Sequence, residues 1–452
     1  MDVTQKRGPM FSNRTLVAMT VPLILDSLLT IAAGVVDSAM VSSAGEAAVS
    51  AVSLVDSLCL LFITFSNAIS IGGGVVLAQY VGNQNFPRAR ICSNQILYAA
   101  VAISSLFMAL VLPFREWVLN LVYGKTEPEV FRNASTYFFY ILLGFPFFAM
   151  GSASGAVLRS MGKNRQSATL TVAYNMLNVI GNAILICVFH MGVAGAAIST
   201  TLSRVFYGVL GLILAHRKEL PARFEKVLRF RVDLDIMGRV LKVGMTQGVE
   251  NGLIHFGKIL IASLVSTLGT VAIAANSVSF TINNIGATII GAFSSVTLTV
   301  VGQCIGAGEQ EQAKYYTKKM VLAASAATVV VFGSIFLFRG SLVRLYDFEP
   351  ETLAVCARYT GIFALCAVIA CFGLAFVPIN AFRAAGDIRY SMVASVGPVL
   401  VFRVGMCYAL HALFPGMGLM CAYSGMLLEW ICRSVMNVFW YRSGKWIRKK
   451  LI

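Results

Sequence analysis

Five acids stand inside long apolar stretches of this chain: Asp26, Asp37, Asp56, Glu250 and Glu429. An ionisable side chain at membrane depth costs about 2.5–3.5 kcal/mol even on the forgiving insertion scale, so each needs a partner or a task. Asp37 has company at a matching depth. At a rise of about 1.5 Å per residue, Asp37 lies about 9 Å below the outer end of its stretch, and Asn182 and Thr200 about 12 Å below the ends of theirs. Asn178 sits one turn from Asn182 on the same face. A carboxylate, two amide oxygens and a hydroxyl form a hard-oxygen set suited to Na⁺, with Asp37, Asn178 and Asn182 as its ligands, or to a proton held on the carboxylate. Thr201, about 100° further round its helix, can take the place of Thr200.

A second group of candidates lies in the other half of the chain. Glu250 opens the run ENGLIHFGK, which puts His255 and Lys258 within about two helical turns of it. Together with Asp26, Asn276 and Arg403 these form a candidate titrating or substrate site; pairing of Glu250 with Lys258 or Arg403 accounts for the same residues. Glu429 and Arg433 are four apart and neutralise each other on one helix face. Asp56, near the outer end of its stretch, fits capping or interfacial solvation as well as function. With no CxxC pair, no HExxH run and only four histidines, the chain offers neither a zinc site nor a nucleophile triad. A membrane-embedded enzyme is disfavoured, no cofactor is expected beyond a coupling ion, and the ten cysteines read as buried thiols.

The elements that must carry these residues follow from composition. Of 452 residues 58% are hydrophobic and 12% charged, with a mean hydropathy of +0.77. Soluble domains carry about 25% charged residues, so a water-soluble enzyme is excluded. Apolar stretches of about 20 residues read as spanning helices. Twelve are expected, near 15–43, 49–80, 91–112, 133–158, 167–190, 192–216, 243–267, 273–303, 320–338, 355–382, 391–414 and 416–441. Of the 36 lysines and arginines, 26 fall on the ends and even-numbered connections and 6 on the others. The positive-inside rule then puts both termini in the cytoplasm, with the first residues a retained leader. The net charge of +16 is therefore a collar at the membrane surface, which disposes of a nucleic-acid partner. Two outer connections, 113–132 and 339–354, read as short interfacial helices.

Adding 224 to a residue number repeatedly lands on its like. Ser42, Gly45, Ala48, Ala51 and Ser53 map to Ser266, Gly269, Ala272, Ala275 and Ser277; Gln79 and Gly82 to Gln303 and Gly306; Arg159, Gly162 and Arg165 to Arg383, Gly386 and Arg389. Asp26 maps to Glu250. Each repeat holds six spans, an even number, so the halves run parallel and are related by a pseudo-two-fold along the membrane normal. The expected organisation is an N-lobe over 1–216, a cytoplasmic linker over 217–242 and a C-lobe over 243–452: an all-α membrane protein built for alternating access.

The stretches VDSAMVSSAGEAAVSAVSL, LAQYVGNQNFPRARI, GAVLRSMGKNRQS, NVIGNAILI and GVAGAAIST in the first half resemble the multidrug and toxic compound extrusion (MATE) family, as do STLGTVAIAANSVSF, VGQCIGAGEQEQAK and NAFRAAGDIRYS in the second. The resemblance implies a cation-coupled exporter of amphipathic, often cationic, organic compounds. It is expected to work as a monomer in the inner membrane, with the small-molecule substrate and membrane lipid as its partners. The resemblance also implies that the Asp of the VDSAM stretch, Asp37, is the N-lobe coupling residue, completed by NVIGN and GAAIST positions. Some relatives carry a second Asp where this chain has Asn182, and a C-lobe Asp near the place of Phe372; neither carries over. A flippase of lipid-linked saccharides, from the wider superfamily, is the alternative and would want a strongly cationic cleft.

Overall fold

In the computed structural model the described residues are 9–124, 127–227, 229–449 and 451–452. The first eight residues of the expected leader, with Lys125 and Lys450, lie outside them. Among the described residues there is no strand. The first half runs through α1 (Asn13–Ser42), α2 (Glu46–Gly82), α3 (Phe86–Val111), a short α4 (Arg115–Tyr123), α5 (Pro128–Ser160), α6 (Asn164–Asn182) and α7 (Gly192–Ala215). The second runs through α8 (Leu234–Ser266), α9 (Thr270–Gly306), α10 (Gln310–Val343), α11 (Pro350–Ile369), α12 (Phe372–Ala384), α13 (Ile388–Pro398), α14 (Cys407–Leu413) and α15 (Met420–Ser443). Eleven helices among the described residues are long and apolar enough to cross a membrane. The last expected span is α15, whose apolarity is diluted by Glu429, Arg433 and Asn437, all buried.

The repeat is visible in the element boundaries. α1 and α8 end at Ser42 and Ser266; α2 and α9 occupy Glu46–Gly82 and Thr270–Gly306; α6 and α13 begin at Asn164 and Ile388. Gly45 and Gly269 precede α2 and α9 with φ of 103° and 96°, a backbone setting that a β-carbon disfavours. In the first of the two connections expected to hold a short helix, α4 is present. The other holds none: α10 continues through Arg339, Gly340 and Ser341 to Val343, and only a short turn precedes α11. The tenth expected span is broken at Cys371, whose φ of 52° is left-handed, so it becomes α11 and α12. Pro378, the residue that would announce a bend, lies inside α12.

Two compact bodies result, one of Val17–Gly248 and one of Met1–Leu16 with Val249–Ile452. The expected linker therefore belongs to the first body, and side-chain bonds explain why. Arg90 donates to the Pro221 carbonyl (3.2 Å) and pairs with Glu225 (3.2 Å), Asn94 donates to the Glu225 carbonyl (2.7 Å), and Tyr98 to that of Val227 (2.9 Å). The start of α8 is held there too. A β-carbon on Gly244 would lie 2.7 Å from the Ile69 Cα and one on Gly248 2.6 Å from the Phe65 ring, close approaches that small residues permit. Four residues further on, a β-carbon on Gly252 would meet nothing within 4 Å. At the other end, the Met10 amide donates to Gln312 (2.8 Å) and the Phe11 amide to the Tyr316 hydroxyl (2.8 Å), which ties the segment before α1 to α10. All ten cysteines are unpaired, and seven are buried.

Candidate functional site

Within the first body, α5 and α7 pack closely because small residues let their backbones meet. A β-carbon on Gly208 would lie 2.7 Å from the Phe147 carbonyl, and one on Gly211 2.9 Å from Ser154. The same device brings α6 to α7. A β-carbon on Gly181 would collide with the Ser199 hydroxyl, and one on Gly195 would touch the Leu185 carbonyl at 3.0 Å. Directly after Asn182 the backbone widens into a π-helical turn over Ala183–Val188. Such turns are rare and shift the side chains before them relative to a straight helix. Nothing in the local sequence marks this one.

This packing delivers Asn182 to Asp37. The Asn182 side chain is fully buried and its Nδ2 donates to Asp37 Oδ1 across 145 residues of chain. Asn182 Oδ1 is buried with no hydrogen-bond partner among the described residues. Asn178 Nδ2 donates to Thr200 Oγ1 (3.1 Å), and Ser199 donates to the Asn178 carbonyl (3.0 Å). Asp37, Asn182, Asn178 and Thr200 are thus joined on α1, α6 and α7 through two side-chain bonds and the single turn separating the asparagines. Thr201 points elsewhere: its hydroxyl donates to the carbonyls of Tyr140 (2.8 Å) and Ala197 (2.9 Å). Ser199, which sequence reasoning did not single out, fixes the backbone of Asn178; its signal was its place in the GAAIST stretch.

The other charges of this body are held nearby. Tyr137 donates to Asp56 Oδ1 (3.3 Å). Arg204, 5% exposed, donates to the Ile141 carbonyl (3.0 Å) and lies over the rings of Phe145 (5.1 Å) and Phe148 (5.6 Å). Asp26 keeps Oδ1 buried with no hydrogen-bond partner among the described residues.

In the second body the acids are locked. Glu250 receives both of its bonds from Arg383 Nη2, at 2.9 and 2.7 Å, and both residues are buried. The expectation that Glu250 would pair with Lys258 or Arg403 is corrected accordingly. Arg383, counted from sequence among the cytoplasmic basic residues, lies inside α12 and turns back into the body. Its repeat mate Arg159 pairs in number with Asp26 as Arg383 does with Glu250, which was the available signal. Glu429 meets both Arg433 (2.7 Å) and Arg403 (2.6 Å). Arg403 sits in a second π-helical stretch, Val399–Met406. Lys258, Asn276 and Arg403 line a cavity of about 170 Å³ with Phe280, Tyr423 and Met426. His255, half-buried one turn from Lys258, is not among its lining residues.

Long apolar helices with polar clusters held inside each body are the build of a multi-pass membrane protein. The chain matches the MatE family over residues 22–184 and 248–409, and it belongs to that family. It is 24% identical to the probable multidrug resistance protein NorM of Thermotoga maritima, over 97% of this chain and 94% of that protein. It is 21% identical to the multidrug export protein MepA of Staphylococcus haemolyticus, over 93% and 91%. A structure of a mutant of the Vibrio cholerae MATE transporter VcmN superposes with a TM-score of 0.86 at 17% identity, covering 95% of this chain and 96% of that one, which supports the fold. The chain is therefore a transporter and not an enzyme.

Proposed function

We propose that this protein is a cation-coupled antiporter in which inward movement of Na⁺ or H⁺ drives amphipathic organic compounds out of the cell by alternating access. NorM and MepA, named for multidrug resistance and multidrug export, support that direction and cargo. The observation that carries the coupling is the Asp37–Asn182 contact with its buried, unpartnered Asn182 Oδ1. A proton can be taken up by the carboxylate as it stands. Sodium requires the Asn182 amide to turn so that Oδ1 faces the ion, after which Asp37, Asn182, Asn178 and Thr200 offer oxygens in place of lost water. Either ion neutralises Asp37. An occupied and an empty site then differ in charge, which is the differential affinity a conformational shift requires.

The basic collar supports cytoplasmic termini for this multi-pass, inner-membrane protein, which on this reading works as a monomer. The lipid-linked saccharide alternative asks for room for a pyrophosphate and sugar, and the cationic cavity of the second body is only about 170 Å³. Proteoliposomes with independently imposed Na⁺ and H⁺ gradients test the proposal. Efflux of an amphipathic dye should follow at least one of them; efflux indifferent to both would refute cation coupling.

A further inference from the structure

The 224-residue offset that relates α1 to α8, α2 to α9 and α6 to α13 can be applied to the site itself. Asp37 and Asp56 of the first body correspond to Ile261 and Phe280, both lining the cavity of the second. In return Gly34, Val52 and Val179 correspond to Lys258, Asn276 and Arg403, which line the same cavity. The duplicated position has exchanged its two acids for apolar residues, and three of its uncharged residues for two bases and an amide. We propose that this cavity binds the anionic head of an amphipathic organic acid.

The charges in and around it are unbalanced. Lys258 has no carboxylate within 4 Å among the described residues. Glu429, the nearest acid to Arg403, is also held by Arg433, so three bases share one acid. Arg403 spends Nε on Glu429 and lies over the Trp430 ring (5.8 Å), and no hydrogen-bond partner of its two terminal nitrogens is found among the described residues. An ammonium with no carboxylate partner is free to meet an anionic ligand. Asn276 keeps Oδ1 buried without a hydrogen-bond partner among the described residues, so its amide is not committed to the protein and can offer either end to a ligand. Phe280, Tyr423 and Met426 supply apolar walls. Drug-sized pockets run to about 300–1,000 Å³, so a volume near 170 Å³ suits a carboxylate with an adjoining ring. A guanidinium and an ammonium together match one such group. Export of the bound acid would follow from the exporter reading above; binding is measurable with no gradient at all.

The test uses the purified full chain in phosphatidylcholine nanodiscs and three radiolabelled probes sharing one ring: 2-naphthoate, 2-naphthamide and 2-naphthylmethylammonium. Naphthoate should bind saturably and at least tenfold more tightly than either of the others. Lys258→Met should weaken it about tenfold or more and Lys258→Arg should restore most of the affinity, while Asn276→Ala should weaken it a few-fold. Equal binding of the three probes, or full affinity in Lys258→Met, would overturn the site. Complete displacement of naphthoate by phosphatidylglycerol added to the nanodisc would also overturn it, by making the cavity a lipid head-group site. Specific naphthoate binding in a protein whose efflux ignores both gradients would refute the exporter reading and leave the anion site supported.

Discussion

The two bodies treat the acids of their apolar helices in opposite ways. In the first, Asp37 meets a neutral amide, Asn182, and Asp56 a neutral phenol, Tyr137. In the second, Glu250 is gripped by Arg383 and Glu429 by two arginines. A carboxylate facing neutral groups gains when a cation arrives, because the ion supplies the missing charge. A carboxylate already paired with arginine gains little and would have to break a buried ion pair first. On the cation-coupled reading proposed above, exchange of the ion falls to the first body, while Glu250 and Glu429 of the second are held in ion pairs.

The sharpest way to break this contrast is to remove one partner of a locked pair. Glu250→Ala leaves Arg383 buried and uncompensated and should cost about 3–5 kcal/mol of stability. The double substitution Glu250→Gln with Arg383→Gln should recover much of it. Thermal unfolding in detergent checks both, and a fully stable single variant would remove the claim that this acid is structural. A smaller effect is expected at Gly181. A methyl there would push Ser199 off the Asn178 carbonyl, and overpacking of this size costs about 1–3 kcal/mol. Gly181→Ala should therefore lower the apparent affinity for the coupling ion about tenfold while leaving naphthoate binding in the second body intact. Smallest of all, Thr200→Val releases the Asn178 amide and should shift ion dependence a few-fold. Thr201→Val, losing only bonds to Tyr140 and Ala197, should cost about 1 kcal/mol of stability and leave ion dependence unchanged. Equal effects of the two threonine variants on ion dependence would blur the assignment of the cluster.

The spans were legible because length and apolarity are written along the chain, and the Asp37–Asn182 contact was legible because depth follows from counting residues on a helix. What escaped was marked weakly or not at all. The break at Cys371 carries neither glycine nor proline, while Pro378 is absorbed within α12. The π-helical turn after Asn182 has no proline beside it, while the one around Arg403 directly follows Pro398. The partner of Glu250 was missed because Arg383 stands at the edge of its apolar stretch, where basic residues ordinarily face water, and long side chains can turn inward from such positions. The second interfacial helix failed for the opposite reason: mixed charge at 339–354 read as a surface element, yet helix geometry carries α10 through it to Val343.

The most direct measurement is equilibrium binding of radioactive sodium, with protons as competitor, to the wild type, Asp37→Asn and the Glu250→Gln, Arg383→Gln double variant. We predict one class of site in the wild type that protons displace, its loss in Asp37→Asn with the protein still folded, and its survival in the double variant. Undiminished, proton-sensitive binding in Asp37→Asn, or loss confined to the double variant, would place the exchangeable carboxylate in the other body and contradict the contrast drawn between them.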